Sequence, residues 1–184
     1  MGDSPETVAR NRELLSKITG PIQFMNQVHG DEVVEVKSIG DDPICDALIT
    51  RKPGIALAVM VADCIPLLLS SSTVVGAVHV GRRGLMNSVA VKAVDAMRKL
   101  GADQIHAQLG PSICGRCYEV PQELADEVVA KHPAASSLTN NLTPAVLPMM
   151  LQLSVLWKMM NISPIAAITS QEELQVWCGY RSQK

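Results

Sequence analysis

Aromatic residues are nearly absent. Phe, Trp and Tyr make up 3% of the 184 residues, and Phe24 is the single phenylalanine. A chain so poor in rings cannot build the stacking platforms that single-stranded nucleic acids need. Positive charge is also lacking, since the formal net charge is −2. That excludes a non-specific nucleic-acid binder, which depends on a basic field to displace counterions. Charged residues reach only 18%, below the usual quarter, so part of the surface is expected to be covered by a partner. The longest apolar stretch, Gly54 to Leu69, is cut by Asp63 and Pro66 and is too short to span a bilayer. The opening MGDSPETVARNRELL has no basic segment followed by an apolar run, so no signal peptide is read there. Glu6 stands where a myristoylation motif needs Ser or Thr. The expectation is a soluble, cytoplasmic protein. Walker loops, GxGxxG, GxSxG and HExxH are all missing.

What is present fits a globular domain. Hydrophobic residues are 47%, which excludes intrinsic disorder, and the length suits one domain with a real core. The five cysteines, Cys45, Cys64, Cys114, Cys117 and Cys178, are an odd set without a secretion signal. They are read as free thiols or metal ligands, not as a disulfide framework.

Ser4 followed by Pro5 opens a helix in which Val8, Leu15 and Ile18 recur at helical spacing, with Gly20 as its stop. Ile22 to Val28 reads as a strand, His29-Gly30-Asp31 as a turn and Glu32 to Val36 as the return strand. Cys45 to Thr50, Ile55 to Val61, Ile65 to Leu69, Thr73 to Val80 and Gln104 to Leu109 are further strands. The runs beginning at Ile55 and Ile65 lack polar alternation and are expected to be covered on both faces. Gly81 to Gly84 reads as a turn, and Leu85, Val89, Ala93, Ala96 and Leu100 form a helical stripe ended by Gly101. Pro121 opens another helix; Pro144 to Met160 is a helix apolar almost all round, and Ile165 to Ile168 a last strand. An all-round apolar helix is central or packs on a second subunit, so a homodimer is the expected assembly. The pattern is α/β with mixed sheets.

Three soft or borderline ligands fall at strand ends beside turns: His29, Cys64 and His79. Two imidazoles and a thiolate can hold Zn²⁺ with water in the fourth position, and metal lowers the pKa of such a water toward neutrality. The alternative is ordinary, because buried cysteines are common and a histidine at a turn is often only a surface residue; spacing alone leaves both open. Cys114-Gly-Arg-Cys117 is a redox or zinc half-site or a pair of loop thiols. Gly81-Arg82-Arg83-Gly84 beside a helix start suits an anion, or is two solvated arginines. Asp63, next to Cys64, is a candidate general base or ligand-orienting group.

Five segments then come in one order: Gln27-Val28-His29-Gly30, Asp46-Ala47-Leu48-Ile49-Thr50, Ala62-Asp63-Cys64-Ile65-Pro66, His79-Val80-Gly81-Arg82-Arg83-Gly84-Leu85, and Gly110-Pro111-Ser112-Ile113 with Cys117-Tyr118-Glu119-Val120. Together they closely resemble the bacterial polyphenol-oxidase (laccase-domain) family, also described as zinc-dependent purine nucleoside phosphorylases and as peptidoglycan-editing factors. The resemblance implies a layered α/β/β/α fold, here a single domain over residues 1–184 without the family's usual N-terminal strand. It implies metal ligands His29, Cys64 and His79, and phosphorolysis of purine nucleosides with adenosine deamination as a further activity. On that reading Cys64, His79 and Asp63 are catalytic, and Arg82, Arg83 and Cys117 bind substrate and phosphate. Three alternatives stand beside it. One is a hydrolase editing peptidoglycan precursors, with Cys64 as a thiolate paired with His79. Another is a copper-dependent oxidase of phenols. The last is a truncated, non-catalytic relative that keeps the fold.

Overall fold

The computed structural model describes residues 3–113 and 118–133. Among these residues four helices and seven strands alternate: α1 (Pro5–Thr19), β1 (Ile22–Gln23), β2 (Val33–Glu35), β3 (Ala47–Thr50), β4 (Ala56–Leu57), β5 (Ile65–Ser70), β6 (Val75–Val80), α2 (Arg82–Met86), α3 (Val89–Lys99), β7 (His106–Leu109) and α4 (Gln122–Lys131). The expected helix Pro144 to Met160, the strand Ile165 to Ile168 and the pair Cys114 and Cys117 lie outside the described residues.

Five strands form one mixed sheet in the order β2-β3-β6-β5-β7. The β2–β3 pair is parallel, and the β3–β6, β5–β6 and β5–β7 pairs are antiparallel. The central strands are apolar at nearly every position because both faces of the sheet are used. Ala47, Ile49, Leu67, Val78 and Val80 pack toward α3, against Val89, Ala93, Val94 and Met97. Leu48 points the other way, into a second cluster with Met25, Val36, Cys45 and Leu57. There β1 and β4 pair in parallel as a small second sheet. Outside it lies α1, which touches it through Arg12: the guanidinium sits 4.0 Å from the centroid of Phe24. The fold is therefore mixed α/β, as read from the sequence.

Four local expectations are corrected. Residues 22–36 do not form a hairpin, since β1 pairs with β4 and β2 with β3. The intervening turn is instead held by a side chain from β3's leading edge, described below, so the two segments diverge. The run Ile55 to Val61 holds only the two-residue strand β4 and is half-buried, because just one short strand is available to pair with it. Leu68 of β5 is 43% exposed, so that strand is not covered along its whole outer face. Gly81 to Gly84 is no simple turn. A helix starts at Arg82 and ends at Met86, and Ser88 at φ 63° breaks the chain before α3.

Helix α1 forms as its sequence predicts. The Ser4 hydroxyl accepts the Thr7 N–H, Pro5 sits in the first turn, and the chain leaves through Gly20 at φ 80°. Its apolar stripe nevertheless buries no residue among the described ones: Val8 is 38%, Leu15 44% and Ile18 84% exposed. Helix α3 supplies the opposite case, since Val89, Ala90, Ala93, Val94 and Met97 are all buried. Removing a fully buried Met side chain leaves a cavity that close packing cannot fill. Met97→Ala should cost about 2–5 kcal/mol in urea unfolding, with the far-UV circular dichroism of the folded protein unchanged.

Candidate metal centre

The three residues singled out by their chemistry converge. His29 follows the 24–28 segment, Cys64 precedes β5 and His79 lies near the end of β6. Their ligand atoms all lie within 4.8 Å of one another. The His29 Nε2 to Cys64 Sγ distance is 3.9 Å. The two imidazoles meet edge to face, with centroids 4.7 Å apart and planes at 76°. Tetrahedral coordination at ordinary zinc bond lengths puts donors about 3.3–3.6 Å apart, so small side-chain shifts would close the set. His29 is exposed, Cys64 half-buried and His79 buried, which leaves one side open to solvent. Two nitrogens and one sulfur are a borderline-soft set that suits zinc or copper.

The sequence reading missed the residue that arranges this site. Asp46 is 0% exposed, at the leading edge of β3. Its backbone carbonyl accepts the His79 N–H at 2.8 Å, so the two residues are cross-strand neighbours. Its Oδ1 accepts from His79 Nδ1 at 2.7 Å and from the His29 N–H at 3.0 Å. Its Oδ2 accepts the N–H groups of Val28 and Gly30 at 3.1 and 2.7 Å. Burial alone would push this carboxyl's pKa up. The hydrogen bonds from His79 and from the Gly30, Val28 and His29 amides outweigh it and hold the pKa below the usual value. Asp46 is thus an ionised acceptor. The signal was an acidic residue heading an otherwise apolar strand, where an unpaired charge would be costly.

Cys64 is not an activated thiol in this setting. Burial raises its pKa, and the charges of Asp63 and Asp46 raise it further. The same negative surroundings favour a cation between the three donors. Gly81 makes the close approach possible: a Cβ there would lie 3.0 Å from Cys64 Sγ and 3.0 Å from His29 Cδ2.

A cleft that includes one of the three, Cys64, is lined also by Asp63, Val80, Gly81, Arg82, Ile113 and Tyr118. Asp63 and half-buried Arg82 therefore stand beside Cys64, whereas Arg83 is exposed. Cys117, expected here, lies outside the described residues. Tyr118 and Ile113 are cleft residues for which the sequence reading assigned no role. Their place in the wall depends on a loop return, in which the Ile113 N–H donates to the Asp63 carbonyl at 3.0 Å.

This chain belongs to the family described as multi-copper polyphenol oxidoreductase laccase, whose profile matches residues 1–173. It is 48% identical over 157 residues to a protein of Streptomyces coelicolor named purine nucleoside phosphorylase, covering 79% of this chain and 65% of that one. A protein of Corynebacterium glutamicum with the same name is 36% identical over 190 residues, covering 94% of this chain and 76% of its own length. Among solved structures, a Neisseria meningitidis protein superposes with a TM-score of 0.76 at 33% identity, over 86% of this chain and 68% of that chain. YlmD from Geobacillus stearothermophilus shares the fold, with a TM-score of 0.71 at 24% identity over 86% and 67% of the two chains. The chain thus spans just under two-thirds of the length of the Streptomyces coelicolor relative.

The packing around Gly81 generates a direct test. Gly81→Ala should push Cys64 Sγ and the His29 ring back by a few tenths of an ångström and weaken the binding of added zinc about tenfold. The far-UV circular dichroism should be unchanged. Chelator competition on the purified variant measures the first effect.

Proposed function

We propose that this chain is a metal-dependent purine nucleoside phosphorylase of the laccase-domain family. The convergence of His29, Cys64 and His79 on one point carries the reading, and the names of relatives up to 48% identical supply the substrate class. Zinc is the metal we assign, held by those three side chains, because three N or S ligands with an open fourth position is the pattern of catalytic zinc. When bound, the metal supplies Lewis acidity at that open position. The remaining work belongs to the chain's own residues. Arg82 lines the cleft beside Cys64 and offers a guanidinium fork to inorganic phosphate; exposed Arg83 is kept as a second phosphate-binding group on the strength of the family resemblance. Asp63 lines the same cleft and would pass a proton to or from the purine base. The flat ring of Tyr118 and the apolar Ile113 give the base a surface to lie on. Cys117 is kept as a further cleft residue on the strength of the family resemblance.

In the reaction, the glycosidic C–N bond breaks and a phosphate oxygen bonds to the ribose C1. The products are the free purine and ribose 1-phosphate. Deamination of adenosine at C6 is a second activity that the same site would support, distinguished by release of ammonia. We place the protein in the cytoplasm, in keeping with the free thiols of Cys45 and Cys64. Among the described residues no helix is long and apolar enough to cross a membrane.

A copper-dependent oxidase is the second reading, favoured by the description of the matching family. The raised pKa of Cys64 argues against the thiolate-nucleophile hydrolase. Purified protein should convert adenosine or inosine and phosphate to the free base and ribose 1-phosphate. Cys64→Ala should lower that turnover by at least about 10²-fold. Full turnover by Cys64→Ala would sink the assignment, and phenol oxidation restored by copper alone would move it to the second reading.

A further inference from the structure

We infer that Asp46 is the positioning residue of the metal centre, setting both imidazoles at once; the inference rests on the metal reading above. Two observations carry it. Oδ1 lies 2.7 Å from His79 Nδ1 on a buried carboxylate that already accepts three backbone N–H groups. Both oxygens of Asp46 are already placed as acceptors of backbone N–H groups, so the carboxylate meets His79 as an acceptor too; Nδ1 carries the hydrogen of that contact and Nε2 is the nitrogen left for a metal. The second observation concerns His29. It has φ 60°, a left-handed conformation that a non-glycine residue rarely adopts. The amides of Val28, His29 and Gly30 converge on the same carboxylate and hold the turn in that shape, which carries the His29 ring beside His79. The ion pair between Asp31 and Lys92 ties the following residue to α3. One side chain therefore selects the tautomer of one ligand and the backbone conformation of the other. The centre is preformed before any metal arrives.

Asp46→Asn tests this with almost no change of volume. In either orientation the amide NH₂ must face donors. Placed at Oδ2 it opposes the Val28 and Gly30 amides; placed at Oδ1 it opposes the His29 amide and drives His79 to the other tautomer. The probes are zinc alone, measured by chelator competition, and cobalt(II), whose thiolate charge-transfer band reports the Cys64 bond. Asp46→Asn should keep the far-UV spectrum, bind zinc about 10–100-fold more weakly and lose intensity in the cobalt band. Met97→Ala, destabilised but distant, should bind both metals as wild type does. If Asp46→Asn does not fold, the wild-type tautomer answers the question: ¹⁵N-detected NMR of the metal-free chain should show His79 protonated at Nδ1. Wild-type zinc affinity in Asp46→Asn, or an Nε2-protonated His79, overturns the inference alone. A wild-type chain that binds no zinc overturns the metal reading beneath it.

Discussion

The contact between the Asp46 carboxylate and His79 Nδ1, 2.7 Å long and fully buried, is the constraint on which the rest of the site depends. A buried charge is tolerable only when hydrogen-bonded, and here four donors meet it. Those donors come from two places far apart in sequence, residues 28–30 and residue 79. The same bonds that make the charge acceptable therefore weld the turn after Val28 to the end of β6. The sheet supplies the framework. Strands β3 and β6 pair with Ala47 opposite Val78, which brings Asp46 alongside His79 without any further adjustment.

Close packing does the rest. Gly81 leaves no Cβ where Cys64 and His29 need space, and Gly84 lets α2 approach the carbonyl of His79, which would lie 3.3 Å from a Cβ there. The short helix α2 starts immediately after the last strand of this set, so Arg82 arrives at the cleft next to Cys64. The charges of Asp63 and Asp46 then do two things to the thiol. They add to burial, the larger cause, in making it a poor nucleophile on its own, and they make the space in front of it favourable for a cation. A metal-ligand role for Cys64 and an inert free thiol follow from the same field.

Much of this was legible in the sequence. His29, Cys64 and His79 could be picked out because soft ligands are rare in the chain and these three fall at strand ends. The strands β3, β5, β6 and β7 and the buried face of α3 could be read from apolar runs and from spacing. What could not be read was pairing. The segments 22–28 and 32–36 look like a hairpin, since local pattern says nothing of the distant carboxylate that pulls their turn aside. Asp46 itself carries no assigned role in the sequence, lying within the strand read from Cys45 to Thr50. Only the fold shows that it lies across from His79. The helical stripe of α1 is genuine in pattern, yet Ile18 stays 84% exposed, because amphipathic spacing predicts a helix without saying what covers it. Likewise Ser88 at φ 63° divides a helix whose apolar spacing runs on without a break.

The central claim is that three side chains already stand ready for one metal ion. Elemental analysis of protein purified without chelators and without a metal-binding tag tests it most directly. The account predicts about one zinc per chain, lost when Cys64 is replaced by Ala. Protein that carries no metal, and takes up none when zinc is added back, would contradict it.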